Sequence, residues 1–594
     1  MSPPQLGRLS ERFRGLITRA RTLDLLVAIV VSAPMVFSPW RLVGHEDADV
    51  WNHAWGAWWF GWQLRNGELP FFTDRLGWPD GGTLWYIDPI GALVGFPFVL
   101  IFGAAFAYNL VVVVYLAAAS AAARGLATRL GAEPLGARLA GVAAVATPYL
   151  VSELHNGVSE ALGVAWGVFA LSAGIDALAL GAARGHLPVL GAWIRTGTLL
   201  ALTTLGSYYY GIAATLALVL YSLPSLVQRK FWARLPFAVV GAVWCLALVY
   251  PVYWAIERSV NGESALVNRP DSTWRPEDLL SLQAHNAVDP RTFVAPGSFQ
   301  SVDLLARGEP FYHSSYFGLF ALALALLSLR PRVLFAAAGM VLLSLGPWLW
   351  WDGDWWRDAS GSRLALPYRA LLELLPASSL THPQRFSYMA IVLCAAAAGV
   401  GLSRIPQRYR LPLLVVVLFD GLVLGPAPWP LAMVPAQDHR AAERLAGGTG
   451  GVLDLPSEVG RTMASSRYLY DQTVHSRPIP YVPDVRVFTS PLLHVLPGAL
   501  LMSPSLPQSL RRDVLGSFLD GVQQVDTNDL VRAGIAHVVV HRELDRGSGL
   551  CALLEAQLTL WFGPGEVLGP HVTFSTAEPK SGRVILDSGW EPPP

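Results

Sequence analysis

Charge is scarce in this chain of 594 residues: Asp, Glu, Lys and Arg together make up 14% of it, against 53% hydrophobic residues. A soluble protein of this size carries about 25% charged residues, so a water-facing surface all round is excluded. Lysine is almost missing, with Lys230 and Lys580 the whole complement, and the net charge is zero. No global positive field is left to draw in nucleic acid. The Arg bias, together with abundant Ala and Gly, points to a GC-rich bacterial source. The 3 cysteines, Cys245, Cys394 and Cys551, are too few and too scattered for a disulfide framework or a zinc site, so no metal ligand set is expected. A glycine-rich phosphate loop and a dinucleotide fingerprint are also missing, which removes support for a cytosolic nucleotide-driven mechanism.

What is present is long apolar runs without a polar stripe, such as Leu23–Val43, Leu110–Ala123 and Met389–Leu402. A helix crossing the hydrocarbon needs about 20 such residues. Spans are placed near 23–43, 107–127, 136–153, 160–182, 191–206, 207–226, 235–254, 314–329, 333–350, 385–403 and 411–428. The segment 89–105, interrupted by Gly91, Gly95 and Pro97, reads as re-entrant or interfacial; if it spans, the C-terminus changes side. The first span follows Arg8, Arg12, Arg14, Arg19 and Arg21 but lacks a small-residue cleavage site, so it is a retained helix rather than a signal peptide.

The basic residues orient the eleven spans. Arg124, Arg129 and Arg138 share one short loop, and Arg184 and Arg195 mark the next. Arg229, Lys230 and Arg234 follow, then Arg330 and Arg332, then Arg404, Arg408 and Arg410. With the N-terminus cytoplasmic, all of these fall inside, as the positive-inside rule requires. The chain is thus expected to sit in a bacterial inner membrane, with residues 1–22 cytoplasmic and the 23–430 membrane domain exposing loops 44–88, 255–313 and 351–384 on the exoplasmic face. Beyond Pro430 the hydropathy falls. Gly451–Leu455 and Ala536–His541 read as strands, Leu530–Ala533 and Leu550–Leu558 as helical pieces, giving a small exoplasmic α/β domain over 431–594. The expected fold class is an all-α polytopic membrane bundle with that C-terminal α/β domain.

The densest polar signal is Glu46-Asp47-Ala48-Asp49, just beyond the first span. Carboxylates held at the bilayer surface suit deprotonation of an acceptor hydroxyl or capture of a divalent cation. The bland alternatives are solvated acids at a helix end, or one Asp serving as an N-cap. Trp51, Trp55, Trp58, Trp59 and Trp62 follow at near-helical spacing, which predicts an amphipathic helix lying at the interface. Polar residues close to the membrane tend to face a cavity, so His155, Asn156 and Glu160 at a short exoplasmic turn are candidates for hydrogen bonds to sugar hydroxyls; plain turn chemistry is the alternative. Tyr208-Tyr209-Tyr210 reads more readily as an aromatic belt than as a sugar platform, although Tyr209 is kept as a candidate. Asp176 is an ionisable residue within a span, and proton relay competes with a plain interfacial role. Asp352 and Asp354 lack the remaining ligands of a calcium loop.

Several phrases, in order, resemble the GT-C superfamily of membrane glycosyltransferases, in a bacterial branch. They are Asp49-x-Trp51-Asn52 with Trp58-Trp59, Pro70-Phe71-Phe72-Thr73-Asp74, Ala107-Tyr108-Asn109-Leu110, Thr147-Pro148-Tyr149, Asp278-Leu279-Leu280 and Pro383-Gln384-Arg385-Phe386. The resemblance covers about residues 20–430. It implies a catalytic base in the first exoplasmic loop, which falls on Asp47 or Asp49 with Glu46 third. It also implies a sugar donor on polyprenyl phosphate, inverting transfer, and a glycan, lipid or protein acceptor in the cell envelope. The leaving phosphate then needs a cation. Arg385 beside His382 is the first candidate, an Arg fork being suited to phosphate oxygens, and Arg41 the second; snorkelling to lipid headgroups is the alternative for both. No cofactor is required by this reading, and a divalent cation stays open. The expected partners are the lipid-linked donor, the acceptor and membrane lipids, without nucleic acid. Two other classes compete: a transporter or flippase for lipid-linked glycans, and a non-catalytic membrane scaffold.

Overall fold

In a computed structural model, the chain is described from residue 21 to 577, apart from 85–87, 181–184, 262–265, 267–282, 285, 296–310, 353, 375–379, 426–428, 457–463, 483–526 and 546–549. Asp271, Trp274, Asp278 and His285 of the second expected loop therefore lie outside the described residues. The chain divides into two compact units. One comprises residues 1–50, 88–254 and 270–434; the other comprises 51–87, 255–269 and 435–594.

The first unit is a helical bundle, and each of the eleven apolar runs contains helix. Among the described residues, six helices are long and apolar enough to cross a membrane, from Pro89–Arg129 to Pro383–Arg404. Proline recurs in first turns, as at Pro89, Pro134, Pro148 and Pro331, where its missing N–H has no helical partner to lose. Ionisable side chains in these helices pair with one another. Asp24 binds Arg124 at 2.7 Å and accepts from Ser120 at 2.8 Å. Asp176 binds Arg129 at 2.8 Å, and Asp420 accepts from the Tyr316 hydroxyl at 2.8 Å. Helices approach closely where glycine removes the side chain: Gly136 and Gly399 face each other's backbones, leaving no room for a Cβ on either.

The 89–105 segment is helical up to a break. It is the first leg of the 41-residue helix Pro89–Arg129, broken by non-helical backbone at Gly103 (φ 83°). The Asp88 carboxylate caps it, accepting from Gly91 N–H at 2.8 Å. At 1.5 Å per residue the leg before Gly103 is about 21 Å long, less than the hydrocarbon thickness, and the leg after it is about 39 Å long.

The second unit holds a four-stranded sheet. Gly451–Leu455 runs parallel to Ile535–His541, which pairs antiparallel with His571–Ser575, which pairs antiparallel with Glu566–Leu568. Its core also contains the tryptophan helix, Val50–Arg65, from Trp51 onward. This helix does not lie flat with a wet face: Trp51, Trp55 and Trp59 are fully buried. The Trp55 indole N–H donates to Gln472 Oε1 at 2.7 Å, its ring stacks on Trp59 at 5.6 Å, and Trp51 packs against Tyr470 at 5.4 Å. An indole N–H that finds an internal acceptor no longer needs the membrane interface.

Candidate active site

The site in the first unit is built around the end of one helix. Pro148–Asn156 starts at Thr147, whose side chain accepts from Tyr149 N–H, and stops at Gly157, which is left-handed (φ 75°). The Val158 N–H returns to the Glu153 carbonyl and the Gly157 N–H to the Leu154 carbonyl, satisfying carbonyls that the helix end would orphan. A Cβ on Gly157 would come within 2.5 Å of the Val50 backbone, so this turn presses directly on the end of the acid loop.

Main-chain bonds fix the acid loop to that turn. His45 N–H donates to the His155 carbonyl at 2.8 Å, and Asp49 N–H to the Asn156 carbonyl at 3.1 Å. The His45 and His155 rings lie 5.1 Å apart, and His155 meets Tyr312 edge-on at 4.7 Å. Asn156 uses both ends of its amide on Tyr312, donating to the carbonyl at 2.7 Å and accepting from the N–H at 2.9 Å. Asn156 and His155, the candidates for sugar hydroxyls, are both buried. Glu153, one turn earlier, lies 3.6 Å from His313.

The acids differ in setting. Glu46 is exposed. Asp47 has a side chain 47% exposed and 4.0 Å from His45. Asp49 is half-buried and directly precedes the first residue of the Val50–Arg65 helix. Its carboxylate and that of Glu160 both reach the Tyr108 hydroxyl electrostatically, and that hydroxyl donates to the Gly157 carbonyl at 2.9 Å.

Glu160, in the 3-10 turn Ser159–Val164, accepts from Arg385 Nη2 at 3.2 Å. The Arg385 guanidinium lies 4.7 Å over the Tyr209 ring. The Tyr209 hydroxyl bonds Thr381 Oγ1, accepts from Thr381 N–H at 2.9 Å and lies 3.2 Å from His382 Nδ1. The neighbouring Tyr210 hydroxyl bonds Tyr149 at 2.6 Å. The Tyr209 and Tyr210 side chains thus turn into the bundle instead of forming an aromatic belt. The Nε of Arg41, the second cation candidate, donates to the Val434 carbonyl at 2.9 Å.

Asp88 was not singled out from sequence. It is buried, and besides capping its helix it accepts from the Tyr115 hydroxyl at 2.8 Å. Burial pushes its carboxyl up to about 7, opposed by those two hydrogen bonds and aided by the charge of Glu160. The only sequence signal was an Asp-Pro step before an apolar run, which reads as a cap and carries no hint of burial.

The arrangement offers a carboxylate loop and a guanidinium that is stacked on tyrosine and paired with Glu160. Together these suit proton removal beside an anionic leaving group. Neither a protein-family model nor a curated protein matches the chain. Solved structures do. ArnT from Cupriavidus metallidurans bound to undecaprenyl phosphate superposes with a TM-score of 0.53 and 14% identity, over 95% of this chain and 98% of that one. The oligosaccharyltransferase of Archaeoglobus fulgidus superposes with a TM-score of 0.50 and 12% identity, over 91% of this chain and 71% of that one. Identity this low carries the fold and not the residues' roles. The chain shares the fold of these two structures, as its resemblance to the GT-C superfamily led one to expect.

Proposed function

We propose that the protein is an inverting glycosyltransferase that moves a sugar from a polyprenyl-phosphate donor to an envelope glycan, lipid or protein on the exoplasmic face of the inner membrane. The observation that carries this is the single structural unit formed by the acid loop, the 155–160 turn and Arg385. ArnT, a structural neighbour, is described bound to undecaprenyl phosphate, which supports a donor of that class.

Asp49 is the preferred base, with Asp47 the alternative. Asp49 is tied through its N–H to the turn that carries Glu160, the partner of Arg385; Asp47 points to His45 and is more exposed. In the reaction, the acceptor hydroxyl gives its proton to the carboxylate as its oxygen attacks the anomeric carbon. The bond from that carbon to the phosphate oxygen breaks, and polyprenyl phosphate leaves with the electron pair. Arg385 meets the growing phosphate charge with its planar fork, and Glu160 holds the guanidinium in place until a phosphate competes for it. A divalent cation held by the acid loop would do part of the same work by screening the phosphate.

The test is transfer in proteoliposomes supplied with polyprenyl-phosphate sugars and candidate acceptors. Asp49→Asn and Arg385→Gln should each abolish most transfer while the protein remains monodisperse. Full transfer in both Asp49→Asn and Asp47→Asn would sink the mechanism. Movement of the lipid-linked sugar across the bilayer with no new glycosidic bond would establish the flippase reading instead.

A further inference from the structure

The second unit contains a group of side chains that glycosyl transfer does not use. His541 ends the central strand Ile535–His541, and His571 begins the antiparallel strand beside it; the two are direct register partners. Directly opposed residues on one face of a sheet hold their side chains together, and here the imidazole rings lie 4.6 Å apart. The chain turns into Arg542–Leu544 immediately after His541, bringing Glu543 back over the pair. Glu543 Oε1 is 2.9 Å from His571 Nε2 and 3.6 Å from His541 Nδ1, and the three ligand atoms all lie within 4.8 Å of one another.

We propose that His541, Glu543 and His571 bind a divalent transition-metal ion of the zinc class. Tetrahedral nitrogen and oxygen ligands about 2.0–2.1 Å from such an ion stand about 3.3 Å apart, and the two observed separations bracket that spacing. Two imidazoles and one carboxylate are a borderline donor set that suits zinc better than calcium or magnesium. The surroundings match those of metal ligands. His541 Nε2 is bonded to Asp454 Oδ1 at 2.9 Å, which orients the ring and leaves Nδ1 facing the carboxylate; that Nδ1 is buried with no hydrogen-bond partner. Arg467 donates to Glu543 at 2.6 Å, as outer partners of a ligating carboxylate do. A small cavity borders both histidines, and its wall carries buried polar atoms with no hydrogen bond: Asp454 Oδ2, Asp471 Oδ2 and His475 Nε2.

An ion here would pin the register of the two strands and close the turn between them. The competing description is a metal-free network in which Glu543 is shared by Arg467 and the two imidazoles. The full-length protein, stripped with chelator and repurified, separates the two. Titrated with zinc, and with cobalt for its visible spectrum, it should take up one ion per chain with the absorption of a four-coordinate nitrogen–oxygen site. Glu543→Gln and His571→Ala should each weaken uptake at least ~10-fold, and Asp454→Asn about 10-fold through its outer position. Circular dichroism and gel filtration of Glu543→Gln, the most conservative change, guard against simple misfolding. No stoichiometric uptake, or uptake unchanged in both Glu543→Gln and His571→Ala, overturns the assignment. Because the readout is metal content, it stands or falls independently of transferase activity.

Discussion

At the scale of single residues, the pairing of Arg385 with Glu160 sets the clearest expectation. Replacing Arg385 with Lys keeps a charge but loses the flat fork that both stacks on Tyr209 and faces phosphate. Loss of one preorganised stabilising group costs on the order of 10²–10³ in turnover. Steady-state transfer by Arg385→Lys should therefore fall about a hundredfold with donor binding still detectable. Glu160→Gln leaves the guanidinium inside the protein without its counter-charge. A lone buried partner costs about 3 kcal/mol, and thermal unfolding of the detergent-solubilised variant should register the loss.

A second residue-level expectation concerns pH. Burial pushes His475 down to about 4, against the pull of Asp454 and Asp471 and with help from Arg477 and His541. Its Nδ1 accepts from the Arg477 N–H at 3.0 Å, a bond that protonation would break. The unfolded chain takes up this proton at a higher pH than the folded one. The contribution to stability is therefore complete above about pH 6.5 and is lost as pH falls toward 4, by about 3 kcal/mol. Hydrogen exchange of the sheet strands between pH 7 and 4.5 should show the decline, and His475→Gln, which keeps an acceptor and cannot titrate, should flatten it.

At the scale of elements, the turn at Gly157 joins the helix end to the acid loop. A side chain there meets both an unfavourable left-handed backbone and the Val50 main chain. Gly157→Ala should destabilise the first unit by about 1–3 kcal/mol. It should also reduce transfer more than donor binding, because the acids move while Arg385 stays. Comparison of donor dissociation constants with turnover measures that split. The tryptophan helix teaches a related lesson about sequence reading. Indoles at helical spacing have the composition of an interfacial helix. Which environment they enter depends on what packs around them, and Gln472, some four hundred positions away, supplies an internal acceptor for Trp55. In the same way, Gly91, Gly95 and Pro97 marked 89–105 as broken, while the actual break falls at Gly103. Periodicity shows that a segment is helical and apolar; its kink depends on what packs beside it.

At the scale of the whole molecule, the basic residues predict sidedness. Gln407 in an Arg-rich turn and Thr449 in the second unit are both exposed. With single-cysteine variants on a background lacking Cys245, Cys394 and Cys551, a membrane-impermeant maleimide applied to spheroplasts should label Thr449→Cys. Gln407→Cys should react only after permeabilisation. The reverse pattern would invert the topology and remove the exoplasmic assignment of the acid loop.

The multi-pass helical character and a C-terminal sheet region follow from the sequence alone, because each rests on local composition: apolar length and strand alternation. The choice of Asp47, Asp49, Glu160, Arg385 and Tyr209 as candidates was also legible, since polar residues at the ends of apolar runs are conspicuous. The meeting of Glu160, Arg385 and Tyr209 was not. Only tertiary structure decided that Glu160 meets Arg385 across 225 positions, that Asn156 serves Tyr312 and Arg41 serves Val434, and that Asp88 is buried. Register likewise decided that His541 stands opposite His571. Each of these depends on which helices or strands become neighbours, and neighbourhood is set by packing over the whole chain, which no local pattern encodes.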